Sequence, residues 1–199
     1  MESIENIKSI YRRIADEAQQ QLNKVQRQIY RIGTLRLLLF IAGVAGLICF
    51  RAENWTVLAG IALVTLLPFI LLIKYHNRLF HRKDYLEKKI EVNRQELAAL
   101  DYDTSCFDSG EEFTDPAHLY AYDLDVFGAH SLFQYVNRTC TEPGKRLLAD
   151  WLGRHLEKKE EIQKRQAAVR ELAPALKFRQ RFRVLGLLHK GKAADVSEL

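Results

Sequence analysis

The chain has 199 residues, a formal net charge of +5 and 48% hydrophobic residues, enough for one ordinary domain and a large apolar addition. Its three cysteines stand far apart and form no C-x-x-C pair, which excludes a disulfide framework and favours reduced thiols. The six histidines lack the spacing of metal ligands, so we expect no zinc site.

An apolar period of three and four residues marks the first part of the chain. This spacing predicts a helix with a coiled-coil seam over about four heptads. The seam consists of Ile4, Ile7, Tyr11, Ile14, Ala18, Leu22, Val25, Ile29 and Ile32.

Two apolar stretches follow at residues 37–50 and 55–73, separated by only four residues. A membrane-spanning helix needs roughly 20 apolar residues. The second stretch meets this length alone, and the first meets it when it begins near residue 33 and Arg36 extends to the headgroups. We therefore predict a transmembrane helical hairpin with spans at about 33–50 and 55–73. A buried hairpin in a soluble protein is the alternative, and the lack of a polar face disfavours it.

Basic residues flank the outer ends of both spans. They are Lys24, Arg27, Arg31, Arg36, Lys74, Arg78, Arg82 and Lys83. Because an excess of lysine and arginine marks the cytoplasmic side of a membrane, we predict a membrane protein with both termini in the cytoplasm and lipid as a partner.

The segment after the second span repeats the helical period of the first. Its apolar positions are Leu79, Leu86, Ile90, Leu97 and Leu100, with Asn93 in the same seam. We expect the two helices to pack as an antiparallel coiled-coil stem, so that residues 1–100 form a spanning hairpin with a cytoplasmic stem. The alternative is that each seam packs on the domain that follows.

The composition changes at residues 101–123, which are rich in aspartate and glutamate and contain no lysine or arginine. Ser109-Gly110 and Asp115-Pro116 are turn signals, so this segment is predicted to be an acidic linker. Residues 119–122 and 124–127 are candidate short strands, and the apolar-polar alternation at residues 122–126 favours one of them.

Four helices are predicted beyond the linker. Ser131 and Thr141 are expected to cap helices at residues 132–136 and 142–152, and two more helices follow at about 158–172 and 175–188. The predicted fold class is therefore all-α.

A motif in these helices carries a family resemblance. Residues 131–152 read S-L-F-x3-N-R-T-x-T-x2-G-x-R-L-L-x2-W-L, and the motif residues are Asn137, Arg138, Thr139, Thr141, Gly144, Arg146, Leu147, Leu148 and Trp151. This pattern resembles the opening of the core (lever) domain of the MutS family of DNA mismatch repair ATPases. The hairpin before it is similar to a membrane-anchored MutS-like subgroup that lacks the mismatch-reading domain.

The motif itself predicts structural roles. Asn137 and Thr139 suit backbone hydrogen bonds at a turn. Gly144 permits a close helix contact or an easy first turn, and Arg146 suits an ion pair. Leu147, Leu148, Trp151 and Leu152 are expected to form a core face.

The resemblance implies that residues 124–199 begin a core domain that is incomplete, and that the chain is a fragment of a longer parent. This segment would anchor the parent and transmit motion, with no catalytic, cofactor or metal site of its own. The parent would be a homodimeric DNA repair ATPase that binds mismatched or structured DNA. ATP and Mg²⁺ would bind in its C-terminal ATPase.

Two features of the C-terminal region bear on nucleotide and DNA binding. Residues 186–193 come close to a P-loop, but Ala193 replaces the hydroxyl that must hold Mg²⁺, and the preceding residues suit a helix rather than a strand. We therefore predict no nucleotide site there. Arg179, Arg181 and Arg183 lie beside two phenylalanines and are candidates for DNA-phosphate contacts.

A second functional class stays open. The heptad seams and the small residues of the spans also suit a membrane-tethered helical scaffold or oligomerisation module that binds no nucleic acid. The small residues are Ala42, Gly43, Ala45, Gly46 and Gly60.

Overall fold

The structure, a computed structural model, describes residues 4–51 and 54–189. These residues form six α-helices and one 3-10 turn at Glu111–Phe113, without a strand, which confirms the all-α fold class. The helices are α1 (Ile4–Cys49), α2 (Trp55–Leu100), α3 (Leu132–Val136), α4 (Glu142–Gly153), α5 (Lys159–Leu172) and α6 (Leu176–His189).

The chain divides into two compact units. The hairpin unit consists of residues 17–87, and the core unit consists of residues 1–16 together with residues 88–199. The hairpin unit contains both apolar stretches. The core unit contains the motif residues and all four short helices.

In the hairpin unit, both apolar stretches lie within helices that are long and apolar enough to cross a membrane. The assignment of possible spans follows from length and composition, and the apolar parts of both helices are almost wholly exposed. Exposed apolar surface of this extent marks an interaction site for lipid or protein. The four residues that separate the apolar stretches include residues 52 and 53, which lie outside the described residues.

Small side chains let α1 and α2 approach closely inside the hairpin unit. A Cβ atom added at Gly43 would lie 3.3 Å from the Thr65 side chain, and one at Gly46 would lie 3.2 Å from Ile61 Cγ2. The rings of Phe40 and Phe69 lie 6.5 Å apart. These pairs run in opposite directions along the two helices, so the apolar parts of α1 and α2 pack antiparallel. Glycine at close crossings is typical of helix packing in lipid.

Most seam positions of the hairpin unit are buried. Ala18, Leu22 and Val25 of α1 are buried, as are Leu79 and Leu86 of α2. This burial agrees with the apolar period, and the coiled-coil geometry itself stays a prediction.

The core unit is organised around a cluster of phenylalanines. Phe133 of α3 is fully buried, and its ring lies 5.7 Å from Phe113 and 5.6 Å from Phe127. Gly110 lies against this ring with a φ of 66°, and a Cβ atom there would lie 2.6 Å from Phe133 Cδ1. Only glycine fits both this backbone conformation and this approach.

The acidic segment is folded into the core unit. Thr104, Phe107 and Ala121 are buried, and Gln134 of α3 donates a hydrogen bond to the Phe107 carbonyl at 3.0 Å. Lys8 of α1 forms an ion pair with Asp101 at the start of the segment. The segment therefore supplies packing surface to α3.

The prediction of short strands near residues 119–127 is wrong, because turns occupy residues 116–125. The backbone N–H groups of Leu124 and Val126 donate to the carbonyls of Tyr120 and Ala121, at 3.0 and 2.9 Å. Asp125 adopts a φ of 48°, which ends any extended run. The alternation was short, and no partner strand exists among the described residues to satisfy an extended backbone.

The predicted helices α3 to α6 are confirmed, and local capping explains two of their starts. Ser131 Oγ accepts a hydrogen bond from the Gln134 N–H at 3.2 Å, and Thr141 Oγ1 accepts one from the Gly144 N–H at 3.3 Å. Helix α6 packs closely on the preceding chain, since a Cβ atom at Gly186 would lie 2.2 Å from Cys140 Sγ.

Candidate functional site

The motif begins with a turn closed by Asn137. The Thr139 N–H and hydroxyl both donate to Asn137 Oδ1, at 3.0 and 2.7 Å. Asn137 Nδ2 donates to the Asp108 carbonyl at 3.2 Å, and the Asn137 side chain is buried. The amide thereby satisfies backbone groups from two segments, and it joins the end of α3 to the acidic segment.

Two arginines converge on one carboxylate of α2. Arg138 Nε lies 2.7 Å from Glu96 Oε1, and Arg183 Nη1 of α6 bonds to the same oxygen. Arg183 Nη2 also donates to Gln95 Oε1 at 2.7 Å. The Arg183 and Glu96 side chains are only 10% and 18% exposed, so most of this ion-pair cluster is removed from water.

Phe107 forms the apolar side of this cluster. The Arg138 Cζ atom lies 3.7 Å from the Phe107 ring centroid, and the Arg183 Cζ atom lies 5.1 Å from it. Planar guanidinium groups stack well on aromatic faces. Burial lowers the pKa of Arg183 below its ordinary value, while the Glu96 charge opposes that shift. Burial also raises the pKa of the Tyr11 hydroxyl, and the negative charge of Glu96 adds to this increase.

Asn93 extends the polar contacts one turn along α2. The residue is fully buried, and its Nδ2 donates to the Lys89 carbonyl at 2.7 Å. Gln180 of α6 donates to Asn93 Oδ1 at 2.6 Å. Within the core unit, α2 is thus bound to α6 at Asn93, Gln95 and Glu96. Asn93, predicted to lie in a helix seam, has its side-chain partner on α6.

The start of α4 carries a second group of contacts. Lys145 forms ion pairs with Asp108 and Glu112 of the acidic segment, and its side chain is 13% exposed. Burial acts to lower the pKa of Lys145, but the hydrogen bonds from both carboxylates outweigh it and raise the pKa. At Gly144, an added Cβ atom would lie 3.0 Å from Thr141 Oγ1, so glycine fits the capped first turn closely.

The outer face of α4 differs from the sequence expectation. Leu147 is 50% exposed and Trp151 is 44% exposed, whereas Leu148 is half-buried and Ala149 is buried. The expected core face is therefore not formed by Leu147 and Trp151, because α4 lies at the surface and only a narrow side of it packs. Trp151 instead lies under Arg165, whose Cζ atom is 3.9 Å from the ring centroid. Arg146 forms an exposed ion pair with Glu142 at 3.2 Å.

The three arginines proposed for DNA-phosphate contacts separate into two kinds. Arg179 and Arg181 are exposed, and Arg179 also donates to the Ala173 carbonyl at 3.0 Å. Arg183 points inward to Glu96 and is not placed for an outer phosphate. Phe178 and Phe182 lie 6.2 Å apart on α6, beside a groove of about 500 Å³ that Arg179 also lines.

Among residues 4–51 and 54–189, no group of three histidine, cysteine or acidic residues is placed to hold a metal ion. The P-loop-like sequence at 186–193 lies partly outside the described residues, since the description ends at His189. Its described part, residues 186–189, is helical and belongs to α6.

Sequence reasoning missed Glu96, Phe107 and Gln180. Glu96 stands three residues after Asn93 and therefore beside the predicted seam, where the sequence names no partner for a carboxylate. Its partners lie 42 and 87 residues away along the chain, so no local sequence pattern predicts this ion-pair cluster.

Comparison with known families identifies a similarity in the C-terminal part of the chain. Residues 118–197 match the family model of MutS domain III, which covers about two fifths of the chain. The match includes every motif residue and the arginines of α6. Comparisons with curated proteins and with solved structures gave no match. The family match supports a relationship to the MutS family over this part of the chain.

Proposed function

We propose that this chain is the membrane-anchored N-terminal part of a MutS-like DNA repair protein. The observation that carries the proposal is the combination in one chain of a MutS domain III segment and two long apolar helices. The helices would cross the membrane as a hairpin and leave both termini in the cytoplasm. Lipid is then a partner of residues 33–50 and 55–73.

The core unit would transmit motion to and from the anchor helices. The supporting contacts are those of α2 with Arg138, Gln180 and Arg183, which hold three residues of α2 to the motif and to α6. A shift of α6 therefore has to move α2 or break buried hydrogen bonds. Coupling of this kind requires packed polar networks with defined partners.

DNA binding and ATP hydrolysis are proposed for the longer parent. In such a protein, ATP and Mg²⁺ would bind in a C-terminal ATPase, and DNA would be held by a homodimer. The resemblance of residues 131–152 to the MutS core domain supports this assignment. Within the present chain, we limit the proposed phosphate contacts to the exposed Arg179 and Arg181.

A salt titration of DNA binding tests this proposal against the scaffold alternative. We expect the chain, held in nanodiscs of neutral phosphatidylcholine, to bind fluorescent duplex DNA with an affinity that falls as salt rises. Each phosphate contact contributes a slope of about −0.9 in log K against log salt. The double variant Arg179→Gln/Arg181→Gln should therefore reduce the slope by about two units.

The matched control removes two exposed cations from α5, in the variant Lys164→Gln/Arg170→Gln. Its slope should change less than that of the α6 variant. An absence of salt-dependent binding in the wild-type chain would contradict the DNA proposal for this segment. That result would favour the membrane-tethered scaffold.

A further inference from the structure

Six exposed cations flank the outer ends of the two apolar stretches, three on each helix of the hairpin unit. We call them the basic collar: Lys24, Arg27, Arg31, Lys74, Arg78 and Arg82. On α1 they are spaced by three and four residues, and on α2 by four and four. Each set therefore forms one stripe along its helix. All six are exposed.

The collar cations have no acidic partners. None of them forms an ion pair among residues 4–51 and 54–189. Between Ala18 and Lys83, the only acidic residue of the sequence is Glu53, between the two apolar stretches. Positions three and four residues from each collar cation hold no aspartate or glutamate, and several hold another collar cation.

This pattern differs from the charge pattern of the core unit, where cations alternate with acids. There, Lys88 pairs with Glu91, Arg146 with Glu142, and Lys145 with two carboxylates. Like charges four residues apart destabilise a helix slightly. The collar therefore has positive charge that no group of the described chain compensates, which points to an anionic partner outside it.

The distances along the helices identify the kind of partner. With a rise of about 1.5 Å per residue, Arg31, Arg27 and Lys24 lie about 3, 9 and 14 Å before residue 33. By the same rise, Lys74, Arg78 and Arg82 lie about 2, 8 and 14 Å after residue 73. The two stripes thus reach matching levels beside the apolar stretches.

These levels coincide with the headgroup region of a bilayer. That region is about 5–8 Å thick on each side of the hydrocarbon core. The outermost cations lie within roughly one Debye length, about 8 Å, of its surface. Arg31 and Lys74 would lie at the hydrocarbon edge, a depth that the phosphates of a lipid reach and those of a DNA duplex do not.

We infer that the basic collar binds anionic phospholipid headgroups and enriches such lipids around the hairpin. This inference rests on the proposed membrane insertion, and it adds a selectivity for lipid charge that insertion alone does not require. Guanidinium and ammonium groups bind phosphate through charge-assisted hydrogen bonds. A polybasic segment at a membrane surface is a general means of attracting acidic lipid.

Lipid selectivity can be measured by electron paramagnetic resonance on the full chain in phosphatidylcholine vesicles. Each sample contains a trace of spin-labelled phosphatidylglycerol or spin-labelled phosphatidylcholine, and the motionally restricted fraction reports lipid held at the protein. We expect phosphatidylglycerol to be retained about fivefold more strongly than phosphatidylcholine, the ratio for a lipid that meets one cation. The excess should disappear in 1 M salt, where screening is nearly complete, with a Debye length of about 3 Å.

Two charge-matched variants locate the effect. Replacing all six collar cations by glutamine should reduce the ratio to about one. The control replaces six exposed cations of the core unit by glutamine and should keep the wild-type ratio. Those cations are Arg154, Lys158, Lys159, Lys164, Arg170 and Lys177. A control that lowers the ratio as far as the collar variant would overturn the inference, and so would added duplex DNA that removes the excess.

Flotation with pure phosphatidylcholine vesicles after alkaline wash separates this inference from the proposed anchor. A wild-type chain that floats but shows a ratio of one overturns the collar and leaves the anchor in place. A chain that does not float overturns the anchor, and the collar with it. Because the salt series uses the wild-type chain, the result does not depend on the folding of any variant.

Discussion

Replacing Glu96 by leucine is expected to lower the free energy of unfolding of the core unit by about 3–5 kcal/mol. Glu96 is the only carboxylate that pairs with Arg138 and Arg183 among the described residues. The Arg183 side chain is 10% exposed and cannot regain full hydration without leaving its site. The loss therefore comes mainly from an uncompensated buried charge.

Denaturant unfolding of the full chain in detergent micelles measures this change. A Trp55→Phe background leaves Trp151 as the single tryptophan, so fluorescence reports the core unit. Glu91→Leu is the matched control on the same helix. The side chain of its partner Lys88 is 37% exposed, and the expected loss is about 0.5 kcal/mol. A loss below about 1 kcal/mol for Glu96→Leu would show that the cluster does not bear on stability.

A compensating variant separates charge from packing. Adding Arg183→Met to Glu96→Leu removes the more buried of the two guanidinium groups that lose their partner and replaces it by an apolar chain. Exchanging both partners of a buried pair for apolar residues is often neutral. The double variant should therefore be more stable than Glu96→Leu alone.

Truncating Phe133 to alanine is expected to destabilise the core unit by about 3–5 kcal/mol. Phe133 is fully buried and lies against Phe113, Phe127 and the backbone at Gly110. Alanine would leave a cavity where α3 meets the acidic segment. The same fluorescence assay measures the change.

Phe178→Ala is the control for size and aromatic character, because Phe178 is 59% exposed on α6. Its effect should stay within about 0.5 kcal/mol. A similar loss for both variants would mean that the phenylalanine cluster is not the centre of the core unit.

Features that rest on local chemistry were predictable from the sequence. The starts of α3 and α4 follow from Ser131 and Thr141, whose side chains bond backbone groups three residues away. The two long apolar stretches follow from composition alone. In each case the physical cause lies within a few residues, so a local pattern contains it.

Features that rest on contacts between distant segments were not predictable. The composition of the acidic segment predicts a linker, yet its Phe113 and Gly110 pack on Phe133. The expected strands near residues 119–127 have no pairing partner among the described residues, and apolar-polar alternation in one segment does not show whether a partner strand exists. The sequence presents Arg183 as one of three basic residues on a surface. Its side chain instead points to the Glu96 carboxylate, 87 residues earlier in the chain.

The topology of the hairpin tests the central claim most directly. In a Cys49→Ser/Cys106→Ser background the remaining Cys140 is buried, so a new cysteine supplies the label site. Asn54→Cys and Glu157→Cys mark the hairpin end and the core unit, and both positions are exposed. A membrane-impermeant maleimide is applied to sealed vesicles of each orientation. We predict that Glu157→Cys reacts only from the cytoplasmic side and Asn54→Cys only from the opposite side. Labelling of both from the same side would contradict a spanning hairpin.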